Sequence, residues 1–123
     1  MDLGAFSLSL AVADLDASRE FYARLGFEAF GGEAEQGWLM MRNGSAVIGL
    51  FAGMFERNIL TFNPGWDESG QAVDPFSDVR DIQRRLRESG VELHETVDEE
   101  SSGPGSIVVV DPDGNPILID QHR

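Results

Sequence analysis

No cysteine and no lysine occur among the 123 residues. Without thiols the chain has no disulfides, no thiolate nucleophile and no sulfur-held zinc or iron site. Without lysine it has no Schiff-base chemistry and no P-loop lysine. Any metal would have to rest on carboxylates and the two histidines, His94 and His122. Long apolar runs are also lacking. None approaches the roughly 20 residues of a membrane span, and Met1-Asp2-Leu3-Gly4 has neither the basic start nor the apolar stretch of a signal peptide, so a cytoplasmic location is expected. Positive charge is scarce: nine arginines face 22 acidic residues, a net charge of -13. Such a chain repels phosphate backbones, so neither nucleic acid nor an anionic membrane is an expected partner.

What is present suits one domain over residues 1–123. The composition, 41% hydrophobic and 25% charged, is ordinary for a globular chain of this length. Phe6 to Val12 alternates large apolar with small residues, as a strand packed on one face does. Asp14 or Asp16 can cap a helix with Leu15, Tyr22 and Leu25 on one side and Gly26 as its stop. Phe27 to Phe30, Gln36 to Arg42 and Ser45 to Phe51 read as strands, the last two joined by an Asn43-Gly44 hairpin signal. Arg57 to Asn63 reads as another strand, ended by Pro64-Gly65. A second helix begins from Pro75, with Ser77 as its N-cap, Val79, Ile82 and Leu86 at helical spacing, and Gly90 as its stop. Strands over Val91 to Thr96, Ser106 to Val110 and Ile117 to Asp120 complete the order.

The pattern repeats. A shift of about 64 residues, a spacing read from the numbering, lays Leu15 on Val79, Tyr22 on Leu86 and Gly26 on Gly90. Each half is βαβββ, module one over about residues 5–52 and module two over about 57–121.

Val12-Ala13-Asp14-Leu15-Asp16 with Phe21-Tyr22 and Leu25-Gly26-Phe27, together with Asp111-Pro112-Asp113-Gly114-Asn115, resembles the vicinal-oxygen-chelate superfamily of glyoxalases, bleomycin-resistance proteins and dioxygenases. The resemblance covers essentially the whole chain. It implies an α+β fold in which two βαβββ modules form a curved mixed-sheet cup around a small-molecule site, often completed by a second chain; a homodimer and a small-molecule ligand are the implied partners. In metal-dependent members His, Glu or Gln from the first and last strand of each module hold a divalent ion. Here those positions fall on Ser7, Gly49, Asn58 or Ile59, and Leu118. That set disfavours a divalent metal, so no cofactor is expected and no catalytic residue is assigned.

The expected ligand-binding residues are Asn63, Trp66, Trp38, Phe51, Ser7 and Asn58. Asn63-Pro64-Gly65-Trp66-Asp67 places an amide, an indole and a carboxylate at the end of a strand, and Trp38 and Phe51 belong to an adaptable apolar group with Met40, Met41, Met54 and Phe55. His94, Asp120 and His122 could form a displaced acid/base or metal site, though surface histidines are the plainer reading. Asp111 to Asn115 is a turn and lacks the ligand spacing of a calcium loop. Three functions stay open: metal-free binding of a small molecule, a lyase or isomerase of lactoylglutathione-lyase type (or a dioxygenase) with a displaced site, and a module that chiefly dimerises.

Overall fold

A computed structural model describes all residues, Met1–Arg123. The protein is α+β, with seven strands and two helices, and divides into two compact units, one of Ser7–Ile59 and one of Met1–Phe6 with Leu60–Arg123. No helix is long and apolar enough to cross a membrane.

The first unit contains β1 (Ala5–Val12, which begins in the other unit), α1 (Leu15–Arg24), β2 (Glu28–Glu33), β3 (Trp38–Asn43) and β4 (Ala46–Ala52). Strands β2, β3 and β4 are antiparallel neighbours, and β1 returns parallel to β4. This is the βαβββ order expected. Asp14 caps α1, its carboxylate accepting from the Ala17 amide at 3.0 Å. One sheet face carries Leu8, Leu10, Val12, Met41, Ile48 and Leu50, which pack with Leu15, Tyr22 and Phe27 into one core cluster. The β3–β4 hairpin turns at Gly44-Ser45, with φ +60° at Gly44 and no positive φ at Ser45, so only the first central position needs glycine. Asn43 therefore ends the strand, and its side-chain amide donates to the Leu25 carbonyl at 3.1 Å, tying the hairpin to the end of α1.

The second unit holds β5 (Ile59–Asn63, entered from the first unit), α2 (Val79–Glu88), β6 (Gly105–Val110) and β7 (Pro116–Gln121). Strand β5 runs parallel to β7, and β6 antiparallel to it, repeating the relation of β1, β4 and β3. One expectation is corrected. Val91 to Thr96 forms no strand; its only ladder contact is a single bridge from Glu95 to Val108. The segment's backbone bonds to β6 all converge on Val108, whose carbonyl accepts from the His94 and Glu95 amides and whose amide donates to Glu95, so no ladder extends along it. Just beyond it the Gln83 side chain, fully buried in α2, accepts from the Val97 amide at 2.8 Å and donates to the Val97 carbonyl at 3.0 Å.

The core of this unit is Val79, Ile82, Ile107 and Ile119. Beside it runs a polar network. Arg80, buried, donates to Asp78, the Ser101 hydroxyl and the Gly103 carbonyl. Gln121, also buried, accepts from the Val79 amide at 2.7 Å and donates to Asp78, Gly103 and Arg123. No buried side-chain nitrogen or oxygen is left without a partner, which is what makes so polar an interior tolerable.

Candidate functional site

Because side chains alternate across a strand, the residues between the core positions of the first unit share its other face: Ser7 and Ser9 on β1, Trp38, Met40 and Arg42 on β3, Val47, Gly49 and Phe51 on β4. Register brings them side by side, with Ser9 opposite Gly49, Met40 opposite Gly49, and Trp38 opposite Phe51. The rings of Trp38 and Phe51 are parallel with centroids 5.9 Å apart, and Phe55 leans on Phe51 at 5.3 Å. All three are half-buried. The Arg42 guanidinium lies 4.7 Å over the Phe30 ring, where it is held by the ring's negative face.

Gly49 explains how Phe51 lies. A side chain begun at Gly49 would set its Cβ 2.5 Å from Cε2 of Phe51 and 3.1 Å from the Met40 sulfur, so the ring and thioether cover this glycine closely. Any larger residue there must push the ring away.

In the second unit, Asn63 and Trp66 sit where β5 gives way to its loop, with the Trp66 amide donating to the Asn63 carbonyl at 3.2 Å. The Asn63 side-chain amide donates to the Asp120 carbonyl at 2.9 Å. Trp66 stacks on His122, centroids 4.6 Å apart and 12° between planes, and His122 in turn reaches Asp120 at 3.2 Å. The next residue clamps the loop. Arg123 donates to the carbonyls of Gly65 and Val73 and to the Asp74 carboxylate, with its guanidinium 4.5 Å over Phe76.

The expected ligand-binding residues thus fall into two groups, each within one unit. Trp38 and Phe51 touch, with Ser7 buried on the same face by alternation. Asn58 is engaged at a strand end, its side-chain carbonyl accepting from the Ala11 amide at 3.0 Å. His94 does not join Asp120 and His122, and no three His, Asp or Glu side chains are grouped to hold a metal ion. Asp111 accepts from the amides of Asp113 and Asn115 and from the Asn115 side chain. The Asn115 side chain first, then these amides, hold its carboxyl below the usual carboxylate range. It is a self-closed turn. Sequence reading missed the Arg123 clamp and the Phe30–Arg42 pair, whose partners no local spacing joins.

A family model described as the Glyoxalase/Bleomycin resistance protein/Dioxygenase superfamily matches residues 4–119. The chain belongs to this superfamily. No curated protein sequence matches it. Among solved structures, a superfamily member from Vibrio splendidus 12B01 aligns with TM-score 0.62 and 15% identity, over 94% of this chain and 97% of its own. A structure described as NAD-dependent benzaldehyde dehydrogenase from Legionella pneumophila gives 0.69 and 18%, over 96% and 99%. A methylmalonyl-CoA epimerase from Mycobacterium tuberculosis gives 0.59 and 22%, over 95% and 86%. At such identities what is shared is the fold, and chemistry has to be argued from the residues.

Strand register relates the two modules. Ser9 pairs with Gly49 in the first module, and Thr61 pairs with Leu118 in the second. Ile59 therefore stands to Thr61 as Ser7 stands to Ser9, and Asn58 lies one residue outside.

Proposed function

We propose that this chain binds a small, flat organic molecule on the face formed by Trp38, Phe51 and Phe55, without a metal at the superfamily's usual positions. The observation that carries this reading is the Phe51 ring lying over Gly49. Where metal-dependent members place an acidic ligand, this chain has a glycine covered by an aromatic ring. Ser7, Gly49, Ile59 and Leu118 together do not fit a divalent ion, which needs several carboxylate or imidazole donors to replace its lost hydration. An aromatic shelf with a few polar neighbours such as Ser9 is instead the usual make-up of a small-ligand site.

The rival is a metal-dependent lyase or isomerase of lactoylglutathione-lyase type, or a dioxygenase, with a displaced ion. It needs at least three converging donors, and Asp120 with His122 makes only two. A homodimer belongs to the same proposal as the flat ligand, because α1 leaves Phe21 and Leu25 exposed. Light scattering after size exclusion reads it directly.

The test titrates planar organic compounds into a Trp66→Phe variant, in which Trp38 is the sole indole. Saturable quenching that disappears in Phe51→Ala supports the reading. Stoichiometric uptake of nickel, zinc, manganese or iron(II) with a raised Tm would overturn its metal-free part.

A further inference from the structure

Trp38 stands on β3 between two neighbours on the same sheet face. On one side Phe51 of β4 is directly opposite it, and the two rings are parallel. On the other side Glu33 of β2 is directly opposite it as well. Side chains paired in this way start about 4.5–5.5 Å apart at Cβ. Phe51 takes one face of the indole, so the other face is turned toward β2 and Glu33.

Glu33 is exposed, and its carboxylate has no hydrogen bond or ion pair. The cations of this unit are placed elsewhere. Arg42 is four residues further along β3, about 13 Å at the rise of a strand, and its guanidinium lies over Phe30. Arg19 and Arg24 belong to α1, which packs through Leu15 and Tyr22 on the opposite sheet face. Arg57, two residues past Phe55, has a partner of its own. The segments that carry the aromatic shelf, residues 33–38 and 51–57, hold three carboxylates, Glu33, Glu35 and Glu56, against that one guanidinium.

An indole face is negative and attracts a cation, and a carboxylate beside it adds to the attraction. Arg42 over Phe30 shows the same chemistry on this sheet face with the protein's own cation. A neutral molecule on Trp38 would gain nothing from Glu33, and an anion would be repelled by it. We propose, taking the Trp38 face as the flat-ligand site, that its ligand is a flat organic cation: an aromatic ring with a quaternary nitrogen, seated on the open face of Trp38 with its charge beside Glu33.

The test is two-dimensional NMR of the whole protein, followed at the Trp38 indole N–H and the amides of residues 33–40. The probes are 1-methylquinolinium and quinoline, which at about pH 7.5 has the same ring system without the charge. The cation is expected to bind about tenfold more tightly, from one cation–π contact and one exposed ion pair. Glu33→Gln, at an exposed position, should weaken 1-methylquinolinium about threefold and leave the Kd of quinoline unchanged. Salt at about 0.5 M should narrow the preference in the native chain. Equal binding of the two probes overturns the positive charge and leaves the Trp38 face as a site for flat neutral molecules. A preference that Glu33→Gln does not reduce also overturns it. No saturable shift at Trp38 with either probe removes the flat-ligand site itself, and the charge with it.

Discussion

The two helices occupy equivalent places in the repeat, yet they are built differently. Helix α1 has no buried residue, and Phe21 and Leu25 are 54% and 56% exposed. Helix α2 buries Val79, Arg80, Ile82 and Gln83. The same contrast extends through the units. The first has an apolar core and, on its other sheet face, methionine and aromatic rings in contact with one another. The second has an apolar core flanked by Arg80, Gln83 and Gln121, each with several directed hydrogen bonds. Apolar contacts with thioether neighbours adjust to different shapes, whereas a satisfied polar network specifies one arrangement. One module rests largely on adaptable apolar contacts and the other on directed bonds.

The sharpest way to break that contrast is to truncate one residue on each helix. Ile82→Ala removes a fully buried side chain and should cost about 2–5 kcal/mol in urea unfolding. Phe21→Ala, at a half-exposed ring, should cost under about 1 kcal/mol in the monomer. A Phe21→Ala loss that equals the Ile82→Ala loss and shrinks on dilution would mean that α1 is covered by a second copy in solution, and the asymmetry of the helices would belong only to the isolated chain.

Polar wiring gives the next effect in size. Gln121→Leu keeps the volume but leaves the Val79 amide without its acceptor, at a cost of about 1–3 kcal/mol. Gly103 and Asp78 keep their bonds to Arg80. The matched change in the first unit, Asn43→Ala, removes one exposed bond to the Leu25 carbonyl and should cost less than about 1 kcal/mol. Equal losses would show that the first unit depends on side-chain hydrogen bonds as much as the second, contrary to its apolar character.

Much of this was legible in the sequence where one physical rule dominates. Period-2 alternation placed β1, and a cap at Asp14 or Asp16 with Gly26 bracketed α1, because these signals are local. The strand expected over Val91 to Thr96 is absent because its bonds to β6 converge on Val108 alone, a non-local fact, and the chain is next held at Val97 by Gln83 of α2, 14 residues earlier. The site divides in the same way. That Gly49 and Leu118 offer no metal donor can be read from residue types alone. That Phe51 lies over Gly49 and stacks on Trp38 depends on register between strands, and the Arg123 clamp joins residues 50 apart. No spacing rule reports such contacts.

The smallest expected effect concerns acid. Burial tends to raise the Asp78 carboxyl, but the Arg80 amide, the Gln121 side chain and the Arg80 guanidinium outweigh it and hold its pKa below the usual carboxylate value. A carboxyl with a folded pKa below its unfolded value of about 3.9 adds stability that is fully present above that value. The contribution is lost as pH falls from there through the folded pKa, because the unfolded chain then binds the proton first. The side-chain amide of an Asp78→Asn variant still offers a carbonyl to the Arg80 backbone N–H at the head of α2 but does not titrate. Unfolding midpoints in urea from pH 7 down to about 2.5 should therefore fall more steeply for the native chain than for this variant, with the two curves converging only below about pH 4. Parallel curves would mean that the Asp78 network is as well formed in the unfolded chain as in the folded one, and the rigidity assigned to the second unit would have to rest on its apolar core alone.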